Sequence, residues 1–426
     1  MQQNPTIYHI TAPSTINACI QLPSSKSISN RALILKALSK SPFPLSNLSN
    51  CDDTGVMINA FEIEADNALA NNFDIKAAGT AMRFLTAYCA QADGEFTING
   101  TQRMKNRPIG ILVDALRSLG AQIEYLEKEG FPPLKIKGTK LEGGSISLDG
   151  SISSQYISAL MMIGPSLKKG LLIKLKGELI SKPYIELTIK MMSDFGIQSQ
   201  WEDREINIAP QAYKAIPYTI ESDWSAASYW YEILALSKDA NSSIELLGLQ
   251  ANSPQGDSKT AYLFDNHFGV HTQFTSRGVE LSKKEIVEKT FSYDFVDQPD
   301  LAQTFAITAC LKGIHFDFYG LQSLKIKETD RILALKNELK KIGFLIHDIN
   351  NCQLEWKGDT CNISKEAIAT YEDHRMAMAF APACQILSEI LIEDPEVVTK
   401  SYPNFWVDLR SAGFTVILNE FDINPA

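Results

Sequence analysis

The sequence has few cysteines and histidines, and neither set is arranged as a metal site. Its seven cysteines are scattered over 426 residues without a Cys-x-x-C pair, so neither a disulfide framework nor a zinc ribbon is predicted. We expect the cysteines to be small buried residues in a reducing compartment. His267 and His271 have the spacing of one helix face. No cysteine or carboxylate pattern nearby completes a metal site, so we expect surface histidines and no bound metal.

Long apolar runs and an excess of positive charge are also missing. No stretch approaches the roughly 18 consecutive apolar residues of a membrane-spanning helix, and the first residues lack the basic and apolar regions of a signal peptide. We therefore expect a cytoplasmic protein without a membrane partner. Forty lysines and arginines against 50 aspartates and glutamates give a net charge of −10, which argues against a nucleic-acid partner. The hydrophobic share of 45% is that of a folded globular chain.

A pattern of about 73 residues recurs along the chain. Each copy has a turn signal, often proline, then a helix-patterned segment, an apolar–Gly–apolar step and a strand-like run. Proline is tolerated in the first turn of a helix, and glycine supplies the left-handed residue that ends one. The marking glycines are Gly120, Gly196, Gly269, Gly343 and Gly413. With a weaker copy after Asp53, the pattern predicts six α/β subdomains grouped three and three. The alternative is a generic helix–Gly–strand connection whose spacing arose by chance.

Short cationic motifs precede or open several predicted helices. Lys26 and Arg31 follow a Ser-rich turn, and Arg107 precedes the helix that Gly120 ends. N–H groups at a helix start bind anions, and a guanidinium group can grip a phosphate or carboxylate with two hydrogen bonds. Each motif alone could equally be a helix cap with solvated charges. Together they predict a cationic cleft between two halves, suited to a small substrate with several negative charges.

In the C-terminal half, charged side chains of both signs stand before apolar segments. Lys327, Glu328 and Arg331 are predicted to share one turn at a helix start, while Asp300 and Arg375 directly precede apolar runs. A solvated helix start would also explain the first three. Charged groups at the mouth of an apolar segment often belong to a functional site, so we regard all five as candidates.

Seven motifs, in a consistent order from about Leu22 to Trp406, resemble the 5-enolpyruvylshikimate-3-phosphate synthase family of enolpyruvyl transferases. They are LPSSKSISNRAL, AGTAMRFL, RMKNRPIG, SSQYISAL, SKPYIELT, KETDR and DHRMAMAF. The resemblance implies an α/β fold, a two-domain inside-out α/β barrel of six βαβαββ-type repeats, three per domain. It also implies an N-terminal domain at 22–222, inserted into a discontinuous C-terminal domain at 1–21 plus 223–426.

The resemblance implies a reaction of the shikimate pathway, which leads to chorismate and the aromatic amino acids. The enolpyruvyl group of phosphoenolpyruvate would pass to the 5-hydroxyl of shikimate 3-phosphate, with release of phosphate, by addition and elimination through a tetrahedral intermediate. Such a reaction needs a base, an acid and cations for two phosphates and two carboxylates. The expected partners are these two small molecules alone, with no cofactor, and we expect a monomer.

By position, the resemblance also implies the site residues. The catalytic set is Asp300 as the base, with Glu328 and Lys26 sharing proton transfer in a division that stays open. The residues that match the phosphoenolpyruvate side are Lys26, Gly79, Arg107, Gln155, Arg331, Arg375 and Lys400. Those that match the shikimate 3-phosphate side are Lys26, Ser27, Arg31, Ser153, Ser154, Gln155, Ser181, Tyr184, Asp300, Ser323 and Lys327.

Two positions depart from the common family pattern. Ala77 and Ser323 stand where many members have asparagine, which leaves substrate affinity and the response to the herbicide glyphosate open. Two other assignments are alternatives to this family. The sister transferase acting on UDP-N-acetylglucosamine typically has a reactive cysteine, which is missing from RMKNRPIG. A non-catalytic relative would be expected to lose Asp300, Glu328 or Lys26, and all three are present.

Overall fold

The chain forms two compact units. A computed structural model describes residues 6–65, 71–364 and 366–418. Unit 1 comprises Met1–Pro23 and Ser222–Ala426, and unit 2 comprises Ser24–Glu221; each has its own hydrophobic core. Of the predicted domain ranges, residues 1–5, 66–70, 365 and 419–426 lie outside the described residues. Within the described ranges, no helix combines the length and apolar character that a membrane crossing requires.

Thirteen α-helices lie in the described residues. In chain order they are α1 (Lys26–Leu38), α2 (Asp52–Ala65), α3 (Gly79–Gln91), α4 (Gly110–Ser118), α5 (Ser154–Ile163), α6 (Lys182–Asp194), α7 (Trp224–Leu236), α8 (Lys259–His267), α9 (Ala302–Lys312), α10 (Arg331–Lys341), α11 (His374–Phe380), α12 (Cys384–Leu387) and α13 (Phe405–Ser411).

The same residues contain 21 strands. They are β1 (Ile7–Thr11), β2 (Asn17–Gln21), β3 (Leu45–Ser46), β4 (Asn71–Asp74), β5 (Glu95–Asn99), β6 (Gln122–Tyr125), β7 (Leu134–Lys137), β8 (Gly144–Asp149), β9 (Leu171–Lys176), β10 (Ser199–Glu202), β11 (Glu205–Ile208), β12 (Tyr218–Thr219), β13 (Ser243–Leu247), β14 (Val270–Phe274), β15 (Gly278–Lys283), β16 (Thr290–Asp294), β17 (His315–Tyr319), β18 (His347–Ile349), β19 (Gln353–Trp356), β20 (Ile390–Glu393) and β21 (Thr415–Leu418).

Four sheets share one topology. Unit 2 has the strand orders β4-β5-β7-β6 and β8-β9-β11-β10, and unit 1 has β2-β13-β15-β14 and β16-β17-β19-β18. In each sheet the first two strands are parallel and the other pairings are antiparallel. A buried helix connects the parallel strands and a second helix leads into the hairpin, so each sheet is a βαβαββ unit. Between β2 and β13 the chain also contains all of unit 2.

Two smaller sheets complete the strand pairings. In unit 1, β1 lies between β20 and β21, antiparallel to both. A parallel bridge joins Ile368 to Ile392 on β20. The resulting order, Ile368 segment-β20-β1-β21, has one parallel pairing followed by two antiparallel pairings, as in the other four sheets. In unit 2, β3 and β12 form a short parallel pair.

The helices are of two kinds. The first helix of each repeat is largely buried: every residue of α7 except Ser225 is buried, as expected of a helix that is apolar nearly all round. In unit 2 the buried helices α1, α3 and α5 contact one another, and in unit 1 α7, α9 and α11 do the same. The second helices are amphipathic. The five predicted glycines end these second helices, and all five have positive φ, from 76° at Gly269 to 103° at Gly120.

Two local expectations are wrong in part. Cys19 is exposed and Cys352 and Cys361 are only partly buried, whereas the other four cysteines are buried. Cys19 is exposed because side chains alternate between the two faces of β2, and its neighbour Ile20 takes the buried face. The predicted helix face for His267 and His271 does not form, since α8 ends at His267 and His271 lies on β14. His267 is half-buried, and only His271 is on the surface.

Candidate active site

In unit 2, the first candidate residues lie at the start of α1. Ser25 caps this helix, its Oγ accepting from the backbone N–H of Ile28 at 3.4 Å. Lys26 is the first residue, and its Nζ lies 3.1 Å from Oδ2 of Asp53. Ser27 follows and is half-buried. The helix start therefore carries a cation whose described ion-pair partner, Asp53, was not predicted from the sequence.

The Arg31 guanidinium is buried one turn later and is held by neutral oxygens. Its Nε donates to Oγ1 of Thr188 at 2.8 Å, and Nη2 donates to Oγ of Ser158 at 3.1 Å and to the carbonyl of Tyr184 at 3.3 Å. Nη1 donates to the carbonyl of Ser27 at 3.0 Å. Burial lowers the pKa of Arg31 to about 10, so the group is still cationic at neutral pH. Its charge is not compensated by these partners and can attract an anion.

Gly79 allows the Arg107 guanidinium to lie against the start of α3. A Cβ at Gly79 would be 2.5 Å from Nη1 of Arg107, closer than atoms can approach. Arg83, which is 4% exposed, ties the two segments together, because it donates to the carbonyls of Gly79 at 2.9 Å and Pro108 at 3.2 Å. The hydroxyl of Tyr156 also donates to Pro108, at 2.6 Å. The position of Arg107 thus depends on a glycine and on a buried arginine.

The start of α5 is joined to the start of α3 by side chains. Ser153 caps α5, its Oγ accepting from the N–H of Gln155 at 3.4 Å. The side-chain amide of Gln155 donates to Oγ1 of Thr80 at 3.0 Å. Ser154, which lies between Ser153 and Gln155 in the sequence, is buried. The hydrogen bond to Thr80 therefore places the Gln155 side chain at the start of α3, where Gly79 also lies.

Ser181 precedes α6 in a strained conformation. Its φ of 55° and ψ of 38° are left-handed, a conformation that costs a non-glycine residue roughly 1–2 kcal/mol. The carbonyl of Ser181 accepts from the N–H of Tyr184 at 3.1 Å. Because Tyr184 in turn contacts Arg31, the predicted residues Ser27, Arg31, Ser181 and Tyr184 lie in one neighbourhood.

In unit 1, the centre of the candidate site is Arg331, the first residue of α10. It is 1% exposed and is surrounded by three carboxylates. Nη1 lies 2.8 Å from Oδ1 of Asp300, Nη2 2.9 Å from Oε2 of Glu328, and Nε 2.7 Å from Oδ2 of Asp373. These carboxylates outweigh the effect of burial and raise the pKa of Arg331. The arginine therefore fixes the positions of two predicted catalytic carboxylates.

Asp300 is in contact with three cations. Nη2 of Arg375 lies 3.1 Å from its Oδ2, and Nζ of Lys327 lies 3.5 Å from its Oδ1, the oxygen that also pairs with Arg331. Burial alone would raise the pKa of Asp300, but Arg375, Lys327 and Arg331 hold it well below the ordinary value. The carboxylate is therefore ionised at neutral pH.

The remaining predicted residues of unit 1 differ in placement. Nζ of Lys400 lies 3.3 Å from Oε1 of Glu328, which joins Lys400 to the Arg331 cluster. Ser323 lies in the turn Gln322–Ile326, and no described hydrogen bond connects it to Asp300. The expectation that Lys327 and Glu328 share the helix turn of Arg331 is wrong, because Asp330 caps α10 and the helix begins only at Arg331.

The sequence signals two further residues of the site: Asp373 was expected with Arg375 before the apolar run of DHRMAMAF, whereas Arg83 was missed. Arg83 belongs to the motif AGTAMRFL and is the one charged residue of a buried helix; such a residue needs hydrogen-bond partners. Asp373 precedes Arg375 and caps α11, its Oδ1 accepting from the N–H of Arg375 at 2.9 Å. Asp53 gave no signal, since its role depends on the contact with Lys26.

Comparison with known proteins adds to this geometry. The family model of EPSP synthase (3-phosphoshikimate 1-carboxyvinyltransferase) matches residues 10–65 and 62–409. The 3-phosphoshikimate 1-carboxyvinyltransferase of Bacteroides fragilis strain YCH46 is 56% identical over 417 residues, which cover 97% of this chain and 99% of the relative. The protein of that name from Photobacterium damsela subsp. piscicida is 37% identical over 93% of this chain and 96% of its own.

A solved structure supports the fold. The EPSP synthase structure from Acinetobacter baumannii has a TM-score of 0.79 at 20% identity, covering 97% of this chain and 100% of its own. The similarity in fold, the identity to the relatives and the family match extend over nearly the whole length. The chain therefore belongs to the EPSP synthase (3-phosphoshikimate 1-carboxyvinyltransferase) family.

Proposed function

We propose that the chain transfers the enolpyruvyl group of phosphoenolpyruvate to the 5-hydroxyl of shikimate 3-phosphate and releases phosphate. This is the 3-phosphoshikimate 1-carboxyvinyltransferase reaction of the shikimate pathway. Family membership supports it over nearly the full chain. The observation that carries the mechanism is the ionised carboxylate of Asp300, in contact with Arg331, Arg375 and Lys327.

We also propose the finer architecture that the family implies. The two units would be two domains, at 22–222 and at 1–21 plus 223–426, each with three βαβαββ repeats in an inside-out α/β barrel. The common strand order of four sheets supports this proposal. So do the three mutually contacting buried helices of each unit and the bridge from Ile368. A monomer that binds two small substrates completes the proposal.

Asp300 would act as the base for the acceptor hydroxyl. With three cations in contact, its pKa is low and the carboxylate is a weak base. Phosphate and carboxylate groups of the substrates would share those cations and reduce the positive potential at Asp300. Its basicity would then rise only when substrate is bound. The same cations would stabilise negative charge that develops on the donor in the transition state.

The binding roles would follow the charges. By the family resemblance, the residues that would serve phosphoenolpyruvate are Lys26, Gly79, Arg107, Gln155, Arg331, Arg375 and Lys400. Shikimate 3-phosphate would be served by Lys26, Ser27, Arg31, Ser153, Ser154, Gln155, Ser181, Tyr184, Asp300, Ser323 and Lys327. The methylene carbon must gain a proton during the addition, and Glu328 and Lys26 are the two candidates to supply it. Glu328 lies between Arg331 and Lys400, so two cations hold its carboxylate in place.

The proposal is tested by the dependence of phosphate release on the acceptor. The purified chain is incubated with phosphoenolpyruvate alone, with shikimate 3-phosphate added, and with UDP-N-acetylglucosamine added. We expect phosphate release only in the second reaction, with the enolpyruvyl product formed in equal amount. Release that shikimate 3-phosphate does not stimulate would overturn the proposal. Stimulation by the nucleotide sugar alone would assign the chain to the sister reaction.

A further inference from the structure

The contacts of Arg375 extend from Asp300 into a part of unit 1 that the proposed mechanism has not used. Nη2 of Arg375, which lies 3.1 Å from Asp300, is also 3.4 Å from Oγ of Ser225. Ser225 is the second residue of α7 and donates a short hydrogen bond to Oδ2 of Asp257. Asp257 lies in the turn Gly256–Ser258 before α8. A chain of polar contacts therefore connects the Asp257 carboxyl with Asp300.

The carboxyl group of Asp257 is unfavourable to the fold where it lies. The residue is 5% exposed, and in the part of the chain that the structure describes its Oδ1 accepts no hydrogen bond. Burial and the charge of Asp300 raise the pKa of Asp257 to about 6. A buried acceptor without a donor weakens the folded state. Groups in such surroundings are typical of sites rather than of core packing.

We propose that Asp257 is a positioning residue for the transfer reaction, which through Ser225 holds the Arg375 guanidinium in the orientation that receives an anionic group of the donor. The inference rests on the proposed function and deepens it. A serine hydroxyl has one proton and can rotate, while an arginine can only donate. When Ser225 donates to Asp257, its lone pairs are directed to Arg375. Without Asp257 the hydroxyl is free to turn its proton toward Arg375, which cannot accept it.

The steady-state test compares Asp257→Ala with Asp257→Asn. We expect Asp257→Ala to raise the KM for phosphoenolpyruvate on the order of tenfold, with kcat and the KM for shikimate 3-phosphate within about twofold of the wild type. Asp257→Asn keeps an oxygen that accepts from Ser225, so it should restore most of the affinity. If Asp257 only stabilises the fold, the KM for phosphoenolpyruvate should instead change together with the KM for shikimate 3-phosphate or with kcat.

A double-mutant cycle tests the route through Ser225. Because both residues act through one contact, Ser225→Ala and the double variant should raise the KM for phosphoenolpyruvate no more than Asp257→Ala does. Effects that multiply in the double variant contradict the proposal. Asp265→Ala is the matched control, since this α8 carboxylate pairs with His271 and Lys284 instead and should leave both KM values unchanged.

Calorimetric titration with phosphoenolpyruvate alone separates this inference from the proposed function, because it requires no turnover. Weaker binding to Asp257→Ala and Ser225→Ala than to Asp257→Asn and the wild type supports the positioning of Arg375. That result would stand even if shikimate 3-phosphate did not stimulate phosphate release. Equal binding by all four proteins overturns the inference. A thermal unfolding transition shows that each variant is folded. If Asp257→Ala does not fold, binding by Ser225→Ala, Asp257→Asn and the wild type still decides the test.

Discussion

The two units use the same repeat fold but hold their arginines differently. In unit 2, Arg31 and Arg83 donate to hydroxyl and carbonyl oxygens. In unit 1, Arg331 donates to the carboxylates of Asp300, Glu328 and Asp373, and Arg375 pairs with Asp300 besides donating to three neutral oxygens. The pKa shifts follow this difference: burial lowers the pKa of Arg31, while carboxylates raise that of Arg331.

Under the proposed function, the difference would give the arginines of unit 1 a second task, since they would bind the donor and also hold the carboxylate of the base. An arginine held by neutral groups keeps its charge available to a substrate anion, as binding requires. An arginine held by carboxylates fixes the positions of those carboxylates and holds the pKa of Asp300 low, which bears on proton transfer. Lys26 is the exception in unit 2, since it pairs with Asp53 and matches a residue of the proton-transfer set. The predictions below test this division.

The largest effect is expected from Asp300→Asn, which keeps the shape of the side chain but removes the base. We expect kcat to fall by roughly 10³-fold, measured as phosphate release that depends on shikimate 3-phosphate. The exposed Asp93 offers a control, and Asp93→Asn should keep the wild-type rate. A loss of tenfold or less in Asp300→Asn would assign the base elsewhere.

Arg331→Met should destabilise the fold strongly, because it leaves the carboxylates of Asp300, Glu328 and Asp373 without their common partner. Removing one partner of a buried ion pair costs roughly 3–5 kcal/mol. The low pKa of Asp300 in the wild type stabilises the fold above its ordinary value of 3.8, and this contribution is lost as the pH falls. The difference in unfolding temperature between variant and wild type should therefore be larger at pH 6 than at pH 3.

Arg31→Met is the counterpart in unit 2 and should behave differently. Its lost partners are neutral oxygens, so we expect a destabilisation of about 1–3 kcal/mol that changes little between pH 3 and pH 6. The KM for shikimate 3-phosphate should rise at least tenfold. Equal dependence on pH in Arg31→Met and Arg331→Met would break the comparison between the units.

Gly79→Ala tests the approach of Arg107 to α3. The new Cβ forces the guanidinium to move, so the KM for phosphoenolpyruvate should rise by roughly tenfold while kcat changes less. Gly55 on α2 is the matched control, because no atom lies within 4 Å of a Cβ at that position. Gly55→Ala should leave both constants unchanged.

The smallest effect is expected from Asp257→Asn on stability. The folded-state pKa of about 6 lies above the ordinary 3.8, so the stability that Asp257 gives at low pH is lost as the pH rises through 6. The variant cannot ionise and should unfold a few degrees above the wild type at pH 7. Below pH 3.8, where the carboxyl is protonated in both the folded and the unfolded state, the difference should nearly vanish, which a pair of thermal scans can measure.

The sequence predicted what depends on local pattern and on motif. The glycines at the ends of the second helices follow from chain conformation, and motifs such as KETDR identify candidate residues directly. It could not predict the partners of Arg31, because Thr188 is 157 residues away in the chain. The start of α10 was placed too early for a local reason: Asp330 takes the capping position, which excludes Lys327 and Glu328 from the helix.

Strand β2 belongs to unit 1, but its parallel neighbour β13 is synthesised only after all of unit 2. On a ribosome, residues 24–221 are continuous and can form their own core as they emerge. β1 must wait longer, since its partners β20 and β21 are the last strands of the chain. Shortening the chain before β20 should therefore leave β1 without its strand partners, while the two four-stranded sheets of unit 1 and all the sheets of unit 2 retain every strand.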